Sequence, residues 1–300
     1  MNWFFDAIIF LFLISAGAWL IHVATSWKQI KNKQAHALLA VLVLTSWCII
    51  FYGSFVESQR LVVEEQQIEI TKAADHLLRA VVIGDLHAGP YRKEGWIQKV
   101  VETANAKNPE IIFLLGDYVY DDADQVSYLT PLKNLSAPLG SYAVTGNHDH
   151  RSGEPERIRQ ALEGLGIEVI DNAQIDLFQD TSLYLVGVSD VWYDADLQVA
   201  FKGLDVEDTV IFLSHNPEVS LYSTTYKADL VISGHTHGGQ IRLPFLGSVS
   251  EIPSLLGREY DKGLFEYKNW QLFITSGVGE TGPRARLFNP PQIDVLEISY

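Results

Sequence analysis

Five short fragments of this 300-residue sequence set metal-capable side chains directly after apolar runs. They are Gly84-Asp85-Leu86-His87, Gly116-Asp117, Gly146-Asn147-His148-Asp149, Ser214-His215-Asn216-Pro217 and Gly234-His235-Thr236-His237. Six of the nine histidines fall in or beside them: His87, His148, His150, His215, His235 and His237. Imidazole and carboxylate without thiolate form a donor set for Mn, Fe or Zn rather than the all-oxygen shells of Mg and Ca. The single cysteine, Cys48, excludes an intrachain disulfide and any cysteine-built zinc or iron–sulfur site. Two cations about 3.5–4 Å apart need one carboxylate between them, and Asp117 is the natural candidate. Such a pair lowers the pKa of bound water to about 7 and stabilises negative charge, which is hydrolytic chemistry with no protein nucleophile.

The elements that must position these residues are visible around them. The fragments end the β-branched runs 79–85, 110–117, 141–147, 209–215 and 229–235, with helix-like stretches at 94–106 and 155–166. Continuous apolar strands alternating with helices predict an α/β fold whose strands are covered on both faces. Further strands at 182–188, 262–267, 270–276 and 292–298 lack long helices between them, which predicts a second sheet packed face to face with the first. In such sheets, sites gather beyond the carboxyl ends of the strands, so five separate loops can converge. The glycines ahead of the ligands are expected to supply sharp backbone turns. No Pro/Gly/Ser-rich linker divides residues 61–300, which therefore read as one domain.

The ordered set Asp-x-His, Gly-Asp, Gly-Asn-His-Asp, His and Gly-His-x-His resembles the calcineurin-like metallophosphoesterases over most of residues 78–300. The tail 234-GHTHGGQIRLP-244, Gly263-Leu264 and 288-FNPPQIDVLEI-298 is most similar to their membrane-associated bacterial YkuE/YaeI-like subgroup. The resemblance implies an αββα sandwich and two divalent or trivalent metal ions. One would be held by Asp85, His87, Asp117 and His237, the other by Asp117, Asn147, His215 and His235. It also implies that His148 contacts substrate and assists the leaving group, oriented by Asp149, while a hydroxide bridging the metals attacks phosphorus. Tyr120 reads as structural beside this set. His150, Arg284 and Arg286 are candidates for substrate contact, with a surface ion pair the competing reading for the arginines. The apolar stretch 243–257 and Trp192-Tyr193 are candidates for a lipid-facing wall or for ordinary loop packing.

Residues 1–60 differ in kind from the rest. They hold Lys28, Lys31, Lys33 and Arg60 against Asp6 and Glu57, a net +2, so the total of −15 leaves −17 on residues 61–300. That acidic body lacks the basic stripe of a nucleic-acid binder, and no nucleic-acid partner is expected. Two apolar runs, 3–21 and 37–55, are each about 28 Å long as helices, close to the hydrocarbon thickness of a bilayer. Core helices rarely lack a polar face over this length, so two membrane helices joined by a short basic loop are expected in an inner, or cell, membrane. Ala16-Gly17-Ala18 resembles a signal-peptidase site, but no Lys or Arg precedes the first run. The loop at 22–36 carries three lysines and no acid, and Met1-Asn2 carries no cation. The positive-inside rule then puts the loop in the cytoplasm and residues 61–300 on the periplasmic or extracellular side. The expected function is a membrane-anchored phosphodiesterase acting on a phosphoester that is free or lipid-linked. The alternatives are a UDP-2,3-diacylglucosamine-type pyrophosphatase of lipid A synthesis and a non-catalytic membrane scaffold of the same fold.

Overall fold

The run Leu77–Ile83 sorts its side chains by parity. Leu78, Ala80 and Val82 enter one apolar cluster, while Val81 and Ile83 enter another. Successive strand residues face opposite ways, so a run that is apolar throughout requires cover on both faces. Ile111–Leu115 divides in the same manner, with Ile111, Phe113 and Leu115 on one side and Ile112 and Leu114 on the other. These alternations define the layers of the computed structural model, which describes residues 2–70, 76–178 and 183–300.

In chain order the elements are α1 (Asn2–Thr25), α2 (Lys33–Phe51), β1 (Val62–Glu69), β2 (Leu77–Ile83), α3 (Glu94–Asn105), β3 (Ile111–Leu115), β4 (Ser141–Val144), α4 (Asn147–Arg151), α5 (Pro155–Gly164) and β5 (Glu168–Val169). There follow β6 (Ala173–Phe178), β7 (Leu183–Gly187), α6 (Leu197–Ala200), β8 (Thr209–Leu213), β9 (Leu230–Ser233), β10 (Arg242–Leu243), β11 (Gly247–Ser248), β12 (Gly263–Tyr267), β13 (Trp270–Ile274) and β14 (Gln292–Ser299). One six-stranded sheet runs β1-β14-β2-β3-β4-β5 and the other β12-β13-β9-β8-β7-β6. Strands β2 to β5 are parallel, as are β7, β8, β9 and β13. The antiparallel pairs in these sheets are β14–β2, β12–β13 and β6–β7, and β10 and β11 form a separate antiparallel pair.

Helices α3 and α5 bury Trp96, Ile97, Val100, Ile158 and Leu162 against the outer face of the first sheet. Phe113, Leu185, Ile211, Leu213 and Ile232 fill the space between the sheets. Leu197, Ala200, Val219 and Leu256 cover the outer face of the second. The expected αββα sandwich is therefore present, with short segments forming its fourth layer. The strand expected at 182–188 runs from Leu183 to Gly187, and Ser182 lies outside the described residues.

Both N-terminal helices are longer than expected. α1 reaches Thr25, and α2 begins at Lys33 and continues through a π turn at Tyr52–Val56 and a 3-10 turn at Glu57–Gln59. They are long and apolar enough to cross a membrane, and they pack on each other, with Trp47 Nε1 donating to the Leu13 carbonyl at 2.9 Å. Their outer ends seat on the sandwich. Arg92 Nη2 donates to the Ser58 carbonyl at 2.5 Å, Arg286 N to the Gly53 carbonyl at 3.1 Å and Tyr91 to Asp6 at 3.1 Å.

Asp294 is a polar group buried on β14, accepting a hydrogen bond from Thr275 Oγ1 at 2.5 Å. Burial pushes its carboxyl up to about 6 from an ordinary 3.8. The folded chain thus holds this proton where the unfolded chain has lost it, so the Asp294 contribution to stability falls as pH rises from about 4 to about 6. Asp294→Asn is expected to remove that loss, which amounts to about 1.4 kcal/mol for every tenfold gain in proton affinity on folding. The melting-temperature difference, variant minus parent, should be more positive at about pH 7.5 than at about pH 4.5. Equal differences at both values would show that Asp294 stays ionised in the fold.

Candidate metal centre

The strands aim the expected ligands into one cleft between the sheets. Asp85 and His87 follow β2, Asp117 follows β3, and Asn147 opens α4 just after β4. His215 follows β8, while His235 and His237 follow β9. Two donor sets result. In the first, His87 Nε2 and His237 Nε2 are 3.0 Å apart, His87 Nε2 is 3.4 Å from Asp117 Oδ2, and His237 Nε2 is 3.7 Å from Asp85 Oδ1. In the second, His215 Nε2 stands 3.0 Å from both His235 Nδ1 and Asn147 Oδ1 and 3.4 Å from Asp117 Oδ2. Ligand atoms about 2.0–2.2 Å from one cation are spaced in this way. Asp117 Oδ2 belongs to both sets.

The residues fit cations by chemistry as well. Asp85 Oδ2 is buried with no hydrogen-bond partner among the described residues, a costly state unless a positive charge meets it. His215 Nδ1 faces the Leu115 carbonyl at 2.7 Å and His235 Nε2 the Pro253 carbonyl at 2.8 Å. Donation to those carbonyls turns the other ring nitrogen, with its lone pair, toward the cleft. Burial keeps His87 and His237 well below the ordinary imidazole range and brings His235 down to about 3, so these rings are neutral and ligand-competent. Burial pushes Asp85 up to about 7. Burial also opposes charge on His215, but the Asp117 and Asp85 carboxylates overcome it and raise that ring to about 10. A cation entering such a cluster displaces its protons.

Gly116, with φ 77°, takes the expected sharp turn, but Gly84, Gly146 and Gly234 do not. The left-handed backbone falls mostly on the ligands themselves: φ is 53° at Asp85, 44° at His87, 53° at Asp117, 70° at His235 and 53° at His237. Such conformations cost a non-glycine residue about 1–3 kcal/mol and persist only where the surroundings impose them. Gly146 and Gly234 supply space instead. A Cβ there would stand 2.5 Å from Asp117 Oδ1 and 2.7 Å from Asp85 Oδ2 respectively.

Asp149 differs from its expected role. Its oxygens accept from the backbone N–H of Asp117 at 2.9 Å, Tyr118 at 2.8 Å and Gly146 at 2.9 Å, tying two ligand loops together. Adjacent residues on a helix do not share a face, so Asp149 points away from its neighbour. His148 instead sets Nδ1 against the Tyr120 carbonyl and meets Arg151 Nη2 at 2.6 Å through Nε2. His148 lines a cavity of 690 Å³ together with Asp117, Asn147, Arg151, Trp192 and, from α1, Phe5.

His150, Arg284 and Arg286 do not line that cavity. His150 lies behind it, 3.0 Å from Ser189 Oγ and stacked on Tyr193. Arg284 pairs with Asp6 of α1 at 3.3 Å, which is the ion-pair reading. Arg286 is wholly buried and donates to the carbonyls of Ser276 at 2.9 Å and His237 at 3.3 Å. Sequence reasoning missed Arg151, although its i+3 spacing from His148 on a short helix was the available signal. Nothing in the sequence marked Phe5.

The end of α2 reaches the same centre. Glu57, buried, accepts from Asn289 N at 2.6 Å, and Asn289 Nδ2 donates to the His237 carbonyl at 2.7 Å. Hydrogen bonds to charged groups contribute about 1.5–3 kcal/mol. Glu57→Ala is expected to lose about that much stability and to weaken cation retention, with Glu57→Gln recovering most of both. Melting and metal content in detergent micelles check this; an unchanged Glu57→Ala would separate the helix from the centre.

A sandwich of this architecture with paired carboxylate–imidazole sets at its strand ends defines a dinuclear metallohydrolase class. The calcineurin-like phosphoesterase family profile matches residues 78–239, and this chain belongs to that family. It is similar to the metallophosphoesterase YkuE of Bacillus subtilis, 27% identical over 227 residues, 73% of this chain and 78% of that protein. A zebrafish transmembrane protein with metallophosphoesterase domain is 26% identical over 308 residues, 95% of this chain and 69% of the relative. The UDP-2,3-diacylglucosamine pyrophosphatase LpxG of Chlamydia muridarum is 27% identical over 322 residues, 88% of this chain and 96% of the relative. A Campylobacter jejuni metallophosphoesterase is 29% identical over 225 residues, 74% of this chain, and the match spans only 59% of its length.

Proposed function

We propose that this chain is a membrane-anchored phosphodiesterase, with residues 1–60 as anchor and residues 61–300 as catalytic domain. The observation that carries the reading is Asp117 Oδ2, 3.4 Å from both His87 Nε2 and His215 Nε2, which joins two donor sets into one centre. Asp85, His87, Asp117 and His237 would hold one cation, and Asp117, Asn147, His215 and His235 the other. Bound there, Mn, Fe or Zn would supply an activated water and neutralise phosphate oxygens. The chain's own residues do the rest. Asp149 holds the Asp117 and Gly146 loops in register, Trp192 and Phe5 wall the cavity, and His148 and Arg151, which line it, would offer a departing oxygen a proton or hydrogen bond.

A second reading is favoured by Phe5. The cavity takes part of its wall from a helix long and apolar enough to cross a membrane, and the Chlamydia relative is a pyrophosphatase of UDP-2,3-diacylglucosamine. A lipid pyrophosphatase is therefore the alternative. The two are separated by assaying the full chain with defined metals on soluble diesters, monoesters and lipid-linked nucleotides. Preference for diesters supports the first and preference for lipid nucleotides the second. Absence of metal-dependent turnover on every substrate would leave the non-catalytic scaffold. Lys28, Lys31 and Lys33 at the far turn support a cytoplasmic loop and an exported catalytic domain. A phosphatase reporter fused after Tyr300 is expected to be active; fluorescence from a cytoplasm-only reporter there would reverse the topology.

A further inference from the structure

A group of large apolar side chains stands in water beside the cavity. Along the β10–β11 hairpin and the residue after it, Leu243 is 41%, Phe245 107%, Leu246 72% and Val249 52% exposed. Phe288, next to Leu287, which bridges Ile241 at the base of the hairpin, is 58% exposed. Scattered exposed leucines need no explanation, but a contiguous apolar patch on an acidic domain does. Phe245 also occupies the turn with φ 68°, a conformation that a bulky aromatic residue rarely adopts. Strain at that tip and loss of cover for its ring gain nothing for the fold in water.

The location of the hairpin indicates what covers it. Ile241 bridges Leu287, and Arg242 N donates to the Leu287 carbonyl at 2.8 Å. The preceding residue, Arg286, lies against the end of α2, where a Cβ on Gly53 would be 3.0 Å from the Arg286 carbonyl. The hairpin is thus separated by only the Arg286–Leu287 segment from the point where the apolar helices meet the sandwich. Its base also walls the metal cavity: Gly239, Gln240, Ser250 and Pro253 line it, as does Phe5 of α1. The mouth lies between the first turn of an apolar helix and a loop tipped with Phe245 and Leu246. A partner protein would need a far larger patch than these few side chains, whereas aromatic and aliphatic residues at loop tips suit the boundary between headgroups and acyl chains.

We propose that the tip of the β10–β11 hairpin, with Phe288 beside it, enters the interfacial layer of a lipid bilayer and sets the mouth of the metal cavity against the membrane surface. The inference rests on the reading that α1 and α2 span the same bilayer. It deepens the functional reading as well, because a phosphoester at headgroup depth would reach His148 and the donor sets without leaving the membrane.

The test uses the full chain in vesicles of phosphatidylethanolamine and phosphatidylglycerol containing a lipid-borne nitroxide quencher. An environment-sensitive fluorophore is attached to Phe245→Cys or Leu246→Cys in a Cys48→Ala background. The same label on native Cys48, in α2, reports the membrane interior, and on Ser136→Cys, at the amino-terminal end of β4, the aqueous pole. The expected result is a blue shift and loss of emission to the lipid quencher at 245 and 246 as at 48, with no loss at 136. Quenching at 48 alone, with 245 and 246 as open to aqueous iodide as 136, overturns the hairpin inference and leaves the membrane anchor intact. No lipid quenching at 48 overturns the anchor itself, and the hairpin inference with it.

Discussion

Asp117→Ala is expected to release at least one cation per chain and to abolish nearly all turnover. The carboxylate is common to both donor sets, so its loss removes a ligand from each. Charge stabilisation by such cations amounts to several kcal/mol, and each 1.4 kcal/mol is a decade in rate, so the loss should be roughly 10³-fold or more. Elemental analysis and steady-state rates on one preparation measure both. Asp117 also accepts the His148 backbone N–H through Oδ1 at 2.7 Å, so an alanine perturbs the α4 loop as well as the metals. Asp117→Asn separates the two effects, because its amide oxygen still accepts that hydrogen bond but carries no charge. It should lose metal nearly as severely as Asp117→Ala while melting closer to the parent. A variant with both metals and normal rates would remove Asp117 from the bridging role.

The centre was largely legible because its chemistry is written locally. Each ligand sits two to four residues beyond the end of a strand, and those strands carry the ligands to the same edge of the two sheets. What escaped was set by long-range context. β1, with its polar Glu64, Glu65, Gln66 and Gln67, is an edge strand paired in parallel with β14 far along the chain, and half-exposed edges carry little periodic signal. Arg286 read as a surface or substrate-facing cation because arginine is seldom wholly buried. Its place among the Ser276, Gly277 and Gly279 carbonyls depends on a loop path that no local pattern encodes. The positive φ values at five ligands run against intrinsic preference, as expected where geometry is imposed for function rather than for stability. Glu57 read only as an acid just beyond the second apolar run, yet it ends a helix and holds the Asn289 that supports His237.

His148→Ala is expected to behave in the opposite manner to Asp117→Ala, keeping both metals while losing about 10²–10⁴ in rate, the range of general acid–base assistance. The ring belongs to neither donor set. Its Nδ1 side is held by the Tyr120 carbonyl, and its Nε2 side faces Arg151 in the cavity. That arrangement fixes the imidazole plane before substrate arrives, so its effect is exerted on the reaction rather than on assembly of the centre. If His148 protonates or hydrogen-bonds the departing oxygen, the loss should be large for alkyl diesters and small for p-nitrophenyl esters, whose leaving group departs without a proton. Arg151→Ala tests how the pair divides the work. Should Arg151 act only by holding His148, the double variant will be no slower than His148→Ala, whereas an independent contact with the phosphate will make the losses multiply. Metal loss in His148→Ala would move it into the ligand set. An equal rate loss across good and poor leaving groups would assign it to charge on the phosphoryl oxygens.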